Sequence, residues 1–219
     1  MGHEIYSNEN EVEGVRIRVE YDESAESPRT AWDNVAAFWS DGMHRRYNFH
    51  EDAADEVLAR IKAAMPVPDE LLEDGSDVEV IQWLMQNETP VSSYVIMPVY
   101  MYDHSGLSFS TGKFSCGWDS GTIGFMMIDV ERWDAQHGGE WSVENARQRI
   151  VDEVQDLDNY HVYGACGYII ERCEGCECCG HIEWVEEDSC WGFYGDPEER
   201  KAALIDHVGD KYRYLLEDM

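Results

Sequence analysis

The chain has 219 residues, of which 43% are hydrophobic and 12% aromatic, and this is the composition of a globular protein long enough to bury a core. Its 46 acidic residues outweigh 16 lysines and arginines to give a formal net charge of −30, which argues against binding to nucleic acid or to anionic lipid. The sequence shows no apolar run long enough to span a bilayer and no secretory signal at its start, so we expect a cytoplasmic protein.

The first third of the chain predicts one strand followed by helices. Strict alternation over Gly14–Tyr21 is typical of a half-buried strand, and Val35–Trp39 indicates a short strand or a helical turn. Glu51–Met65 carries acids in its first turn and one apolar face, as an amphipathic helix does. A second helical region follows over Asp69–Gln86, with a break at Gly75.

The middle of the chain is low in charge. Between residues 80 and 130 there are four acids and one base, Lys113. Two apolar runs in this stretch, Val91–Tyr102 and Thr122–Val130, read as a central pair of strands. We expect the whole stretch to be interior, and its carboxylates Asp103 and Asp119 would then need hydrogen bonds or a partner charge.

The last third predicts a helix over Ser142–Asp158, a hairpin of Val162–Glu171 with Ile182–Val185, and a closing helix over Asp196–Leu216. The order of elements favours an α+β fold in a single domain, with a mainly antiparallel sheet and about four flanking helices. The nearest approach to a domain boundary lies around residue 90.

A group of nucleophilic and acid–base residues occupies the polar segment between the two central strands. A hydrolase site of the Cys/His or Ser/His/Asp kind is one interpretation. The other is structural, with Asp119 and Ser120 forming a turn above a packed Trp118. The candidate catalytic residues are Asp103, His104, Cys116, Asp119 and Ser120.

The loop of the predicted hairpin is rich in cysteine. A C-x2-C turn can present two thiolates to one tetrahedral metal, so a structural zinc site is one interpretation. The alternatives are an exposed cysteine-rich turn with no role and an oxidation-prone loop. No other cofactor is predicted. The candidate zinc ligands are Cys173, Cys176, Cys178 and His181.

A third compact motif, DSCWGFYG, covers Asp188–Gly195. Aromatic side chains flanked by glycine can stack on a base or a sugar. More often they fill a corner of the core where two backbones approach closely, and we favour this interpretation.

Three stretches together resemble an uncharacterised family of bacteriophage and mobile-element proteins. They are SPRTAWDNV…HRRYN (27–48), YDHSGLSFSTGKFSCGWDSGTIGF (102–125) and DSCWGFYG (188–195). The chain differs from the family pattern by extra residues around 36–43 and by the cysteine-rich loop. The resemblance implies a viral setting and an intracellular site of action.

The negative charge has two interpretations, which are solubility or adaptation to high salt, and a surface that imitates DNA. The second leads to the functional hypothesis. An acidic phage-type accessory protein can act by binding a protein partner with a basic surface, and it can imitate DNA to inhibit a host DNA-binding or defence factor. The alternatives are the hydrolase described above and a zinc-stapled structural or virion-associated protein. We favour binding over catalysis, and the oligomeric state is left open. The predicted interaction residues are Glu51, Asp52, Asp55, Glu56, Glu70, Glu73 and Asp74.

Overall fold

The computed structural model describes residues 3–41, 49–175 and 181–219, which fall into two compact units. Unit 1 combines the two ends of the chain, Met1–Ser27 and Asn159–Met219, and unit 2 is the continuous segment Pro28–Asp158. Residue 90, near the weak boundary suggested by the sequence, lies inside unit 2. The HRRYN part of the first shared motif lies outside the described residues.

The described residues form eight strands and seven α-helices, and four of these helices have ten or more residues. The strands are β1 (Glu4–Asn10), β2 (Val15–Tyr21), β3 (Ala37–Trp39), β4 (Tyr94–Asp103), β5 (Leu107–Ser110), β6 (Ser120–Asp129), β7 (Cys166–Gly175) and β8 (Ile182–Phe193). The helices are α1 (Pro28–Ala31), α2 (Asp52–Ala64), α3 (Asp69–Glu73), α4 (Asp77–Gln86), α5 (Val130–Gln136), α6 (Val143–Tyr163) and α7 (Pro197–His207), with a 3-10 turn at Arg213–Leu216.

Unit 1 is built on an antiparallel sheet in the order β1-β2-β7-β8. Every second side chain of β2, at Val15, Ile17 and Val19, is buried with α7 and the 3-10 turn. The side chains between them face the other side of the sheet, because successive residues of a strand alternate. There Arg18 pairs with Glu171 at 2.9 Å.

Tyr168 on β7 predicts that the stability of unit 1 decreases at alkaline pH. This side chain is 3% exposed, and its hydroxyl donates to Asp188 at 3.1 Å. Burial, and then Asp188, raise the pKa of Tyr168 to about 12. An unfolded tyrosine loses its proton near pH ~10, so the unfolded state binds fewer protons than the folded state above that pH. The free energy of unfolding should therefore fall as pH rises between about 10 and about 12, by at most ~1.4 kcal/mol per pH unit.

Urea unfolding of the wild type and of Tyr168→Phe, at about pH 9 and about pH 11, tests this effect. The substitution removes the hydrogen bond to Asp188 at both pH values. It also removes the ionisable hydroxyl, which affects the stability only at the higher pH. We expect the wild type to lose more stability between the two pH values than the variant does. Equal losses in the two proteins would show that Tyr168 does not cause the dependence.

Unit 2 is a sheet in the order β3-β6-β4-β5, with helices on both faces. Alternation along β6 explains the two layers. Met126 and Ile128 belong to a cluster with α5 and α6, whereas Phe125 and Met127 belong to a cluster with α2 and α4. Both clusters are buried, so a charged side chain on the central strands would be costly to bury on either face of the sheet.

A buried ion-pair network joins α6 to the start of β3. Glu153 on α6 is 2% exposed and accepts hydrogen bonds from Arg29 at 2.7 Å and from Arg149 at 2.9 Å. The same carboxylate also accepts from the backbone N–H groups of Val35 at 2.8 Å and Ala36 at 3.2 Å. A buried carboxylate is stable only when its oxygens are satisfied in this way.

The α+β class and the antiparallel pairing predicted from the sequence are confirmed, although the strands form two sheets. The predicted strand Gly14–Tyr21 corresponds to β2, and the predicted helix Glu51–Met65 corresponds to α2. Of the predicted apolar face, Ala54, Val57, Leu58 and Ile61 are buried in α2, whereas Met65 lies just after the helix and is half-buried.

Several elements differ from expectation. The helix α6 continues to Tyr163 and β7 begins only at Cys166, so the predicted strand Val162–Glu171 started too early. β1 was not predicted, because EIYSNEN carries little apolar alternation. The closing helix ends at His207, because the next residue, Val208, takes an extended conformation and is fully buried. β8 continues to Phe193 and so includes most of the DSCWGFYG motif; Phe193 is buried, but Trp191 is 43% exposed, so the interpretation as a core corner is only half right.

Candidate functional site

The two polar motifs of unit 2 meet where the central strands end. β4 ends at Asp103 and β6 begins at Ser120. The N–H of Asp103 donates to the carbonyl of Asp119 at 2.8 Å, which joins the two ends. The sequence predicted interior carboxylates here, and this was wrong: Asp103 is exposed and the side chain of Asp119 is 40% exposed.

The expected interior carboxylate of this stretch is instead Asp129, at the far end of β6. It is buried and accepts from Arg60 Nε at 2.6 Å. Asp129 also caps α5, since its side chain accepts from the N–H of Arg132. The low charge of residues 80–130 therefore reflects burial of the strands, whereas Asp103, at the end of β4, and His104 and Trp118, between the strands, are exposed.

Two of the candidate catalytic side chains, His104 and Cys116, contact a third, Asp119. The Oδ2 atom of Asp119 lies 3.2 Å from His104 Nδ1 and 3.7 Å from Cys116 Sγ. Ser120 is held separately, because its hydroxyl donates to the carbonyl of Cys116. The structure thus brings together His104, Cys116 and Asp119, and leaves the side chain of Asp103 outside the group.

The order of these contacts does not suit nucleophilic catalysis. A thiol is activated when a base contacts it directly, with a third group orienting the base. Here Asp119 lies between the other two: the imidazole of His104 and the thiol of Cys116 each bond to the carboxylate and not to each other. The imidazole is also 64% exposed. This arrangement is well suited to holding the turn together.

Trp118, which was predicted to pack beneath this turn, is 98% exposed. The prediction was wrong because the turn is held by the bonds of Asp119 and Ser120 and needs no aromatic support. The neighbouring Gly117 likewise has open space around it. An exposed tryptophan at a loop tip is a residue type that often anchors protein contacts.

The predicted zinc site is described only in part. Cys173 lies near the end of β7, where its N–H donates to the carbonyl of Gly14 at 2.8 Å, and His181 is exposed just before β8. Cys176 and Cys178 lie outside the described residues. Within residues 3–41, 49–175 and 181–219, no three or more His, Cys, Asp or Glu side chains are grouped to hold a metal. The zinc site stays a prediction.

The acidic helices of unit 2 carry most of the predicted interaction residues on their outer side. In the described structure these side chains are exposed and, apart from Asp55, no hydrogen bond or salt bridge engages their carboxylates. We call this set the acidic helical surface. It comprises Asp52, Asp55, Glu56, Glu70, Glu73 and Asp74.

Glu51, the seventh predicted interaction residue, has an internal role. Its carboxylate accepts from Arg29 at 2.6 Å and from the N–H of Phe38 at 3.0 Å. Arg29 is the same side chain that pairs with Glu153, so Glu51 belongs to the buried network of unit 2. We therefore leave it out of the acidic helical surface.

The bases near this surface are already engaged. Arg60 bonds to Asp129 through two nitrogens, and Lys62 bonds to Asp77. His50 lies 3.2 Å from Asp55, and the charge of Glu56, after the hydrogen bond to Asp129, contributes to raising the pKa of Arg60. In the described structure no other carboxylate of this surface has a bonded cation, so most of its negative potential is screened by salt alone.

Unit 2 also contains a cavity of about 580 Å³ beside β4, β6 and α4. Sequence reasoning did not identify it, since its lining is distributed over five segments. One signal was visible: Lys113, a lining residue, is the only base between residues 80 and 130. The cavity is lined by Trp39, Asp41, Val78, Gln82, Met85, Gln86, Pro98, Tyr100, Lys113, Thr122, Ile123, Gly124 and Phe125.

Comparison with known proteins adds no assignment. No protein-family model, no curated protein and no solved structure matches the chain. The resemblance drawn from the three motifs therefore stays a prediction. Among the helices of the described residues, none combines the length and the apolar character that crossing a bilayer requires.

Proposed function

We propose that the protein acts by binding a protein partner with a basic surface, and that the acidic helical surface is its contact. The observation that carries the proposal is that the negative charges on α2 and α3 are not neutralised by bonded basic side chains. Carboxylates such as Asp52, Glu70 and Glu73 are exposed in the described structure with no bonded cation, while the nearest bases bond elsewhere.

Electrostatics support this choice of partner. With a net charge of −30, the whole molecule attracts a basic surface over distances of about the Debye length, ~8–10 Å at physiological salt. Complementary fields of this kind accelerate association and select against acidic partners. Direct binding to nucleic acid is disfavoured, because protein and phosphate carry the same sign.

The finer proposal is a partner that normally binds DNA. The binding face of such a protein attracts a dense row of phosphates, and a helical surface of exposed carboxylates presents the same sign of charge. The resemblance of the three motifs to bacteriophage and mobile-element proteins suggests a host DNA-binding or defence factor. The described cysteines, Cys116, Cys166, Cys173 and Cys190, are free thiols, which fits a cytoplasmic setting.

Two variants with the same change in charge test the proposal. The surface variant carries Asp52→Asn, Glu70→Gln, Glu73→Gln and Asp74→Asn. The control variant carries Asp134→Asn, Glu140→Gln, Asp206→Asn and Glu217→Gln, at positions that are also exposed. Both proteins retain a strong negative charge, so a difference between them reports the location of the contact.

Binding is measured against a panel of purified DNA-binding proteins and of basic proteins that do not bind DNA, at about 50 mM and about 200 mM salt, with duplex DNA as competitor. We expect binding that weakens with salt, is displaced by DNA, and is lost in the surface variant but kept in the control variant. Equal binding by the two variants would reject the acidic helical surface as the contact. Binding that DNA does not displace would reject the DNA-mimic form of the proposal.

A further inference from the structure

The cavity of unit 2 lies where the helices leave part of the sheet uncovered. On this face of the sheet, Tyr94 and Ile96 of β4 are buried with α2 and α4. β4 continues beyond them, and its next residues on the same face, Pro98 and Tyr100, line the cavity instead. The cavity therefore exists because β4 extends beyond the part of the sheet that α2 and α4 cover. Its volume of about 580 Å³ lies within the range of small-molecule sites, ~300–1,000 Å³.

The walls combine a flat apolar floor with a few polar groups. Tyr100 and Phe125 belong to adjacent strands, and Met85 faces them from α4. Gln82 and Thr122 add neutral hydrogen-bonding groups to the lining. Sites with this composition bind a largely apolar body and fix its orientation through a small number of polar contacts.

Lys113 sets the charge preference of the cavity. Among the lysines and arginines of the described residues, it alone has no carboxylate or carbonyl oxygen bonded to its head group. The lysine Lys201, for comparison, bonds to carbonyl oxygens near the C-terminus, and the guanidinium of Arg132 bonds to those of Asn34 and Val35. Among the lysines, all of which are described, only Lys113 thus has an ammonium without a bonded oxygen of this kind, and Lys113 lines a cavity.

We propose that this cavity binds a small molecule with a flat apolar body and a single anionic group. The apolar body lies over Tyr100 and Phe125, and the anionic group pairs with the ammonium of Lys113. One negative charge is specified because the field of a −30 protein opposes a more highly charged anion. This inference is independent of the acidic helical surface, which involves other residues.

Two fluorescent probes that differ in charge test the proposal. 1-Anilinonaphthalene-8-sulfonate has a flat apolar body and one sulfonate, and N-phenyl-1-naphthylamine is the same body without the sulfonate. Each is titrated into the native protein by fluorescence and by calorimetry. We expect one saturable site for the sulfonate, with affinity at least about tenfold higher than for the neutral probe, as a charge-assisted hydrogen bond provides.

Three variants locate the site. Lys113→Met should weaken sulfonate binding about tenfold and leave the neutral probe unchanged, while Lys211→Met, an exposed lysine of unit 1, should change neither. Gln82→Trp places a large side chain in the cavity from an exposed position of α4 and should abolish binding of both probes. Thermal unfolding of each variant confirms that the fold is retained.

The alternatives give distinct results. Unchanged sulfonate affinity in Lys113→Met, or binding that survives Gln82→Trp, would overturn the proposal. Asp41 lies in the same lining, so a cationic analogue with a trimethylammonium group in place of the sulfonate is included as a third probe. Tighter binding of that analogue would overturn the preference for an anion.

Discussion

Replacing Glu153 with alanine should lower the free energy of unfolding by about 3–5 kcal/mol, the loss typical when one partner of a buried ion pair is removed. The carboxylate lies between Arg29 and Arg149 and also accepts two backbone N–H groups at the start of β3. Its removal leaves the buried guanidinium of Arg29 with Glu51 as its remaining carboxylate. Chemical denaturation of the purified variant measures the loss.

The matched control for this prediction is Asp152→Ala, one residue earlier on the same helix. Asp152 is exposed, and within the described part of the chain its carboxylate accepts only from Gln148, so its replacement should change stability by at most ~0.5 kcal/mol. If the two variants were equally stable, the network around Glu153 would not contribute as its geometry indicates.

Replacing Gly124 with alanine should destabilise the protein by about 3 kcal/mol, at the upper end of the usual effect of overpacking. A Cβ atom at this position would lie 2.2 Å from the carbonyl oxygen of Trp39 and 2.7 Å from the ring of Phe38. The first neighbour is backbone of the paired strand β3 and cannot rotate away. The strands β3 and β6 would therefore have to separate, and thermal and urea unfolding should both report the loss.

Gly106→Ala provides the comparison at a glycine without this constraint. Among the described residues, apart from Gly106 and its two chain neighbours, no heavy atom lies within 4 Å of the position that a Cβ at Gly106 would take. The substitution should be neutral to within ~0.5 kcal/mol, or slightly stabilising, because alanine restricts the unfolded chain. A loss at Gly106 as large as that at Gly124 would mean that the close approach of β3 and β6 is not the cause.

Elements with one buried face were predictable from the sequence. The alternation of β2 and the apolar face of α2 are visible within a short stretch of sequence, because burial of one face sets the spacing of the hydrophobic residues. β1 has no such pattern. It is positioned by its pairing with β2 and by contacts such as the bond from Tyr6 to the carbonyl of Leu215. Contacts between distant parts of the chain leave no local signal.

The same limit applies to the candidate sites. The sequence placed Asp103, His104, Cys116 and Asp119 near one another, and three of them do meet, because two paired strands end there. The sequence could not show that the carboxylate of Asp119 lies between His104 and Cys116. Lys113 was visible as an isolated base, but its place in a cavity depends on α4 and β6. Glu153 looked like any other acid of an acidic helix until its partners 118 and 124 positions away were known.

Unit 1 is assembled from two distant segments of the chain, and this affects how the protein folds during synthesis. β2 obtains its second neighbour, β7, only when residues about 155 positions later are available, as the Arg16–Glu171 pair shows. During synthesis, β1 and β2 therefore leave the ribosome as a hairpin with an unsatisfied edge, while the contiguous unit 2 has all its strands much earlier. A premature stop before β7 would release a chain that contains unit 2 but whose amino-terminal hairpin has no sheet to join. Such a product is prone to aggregate, so the last quarter of the chain protects the first strands as much as it extends the fold.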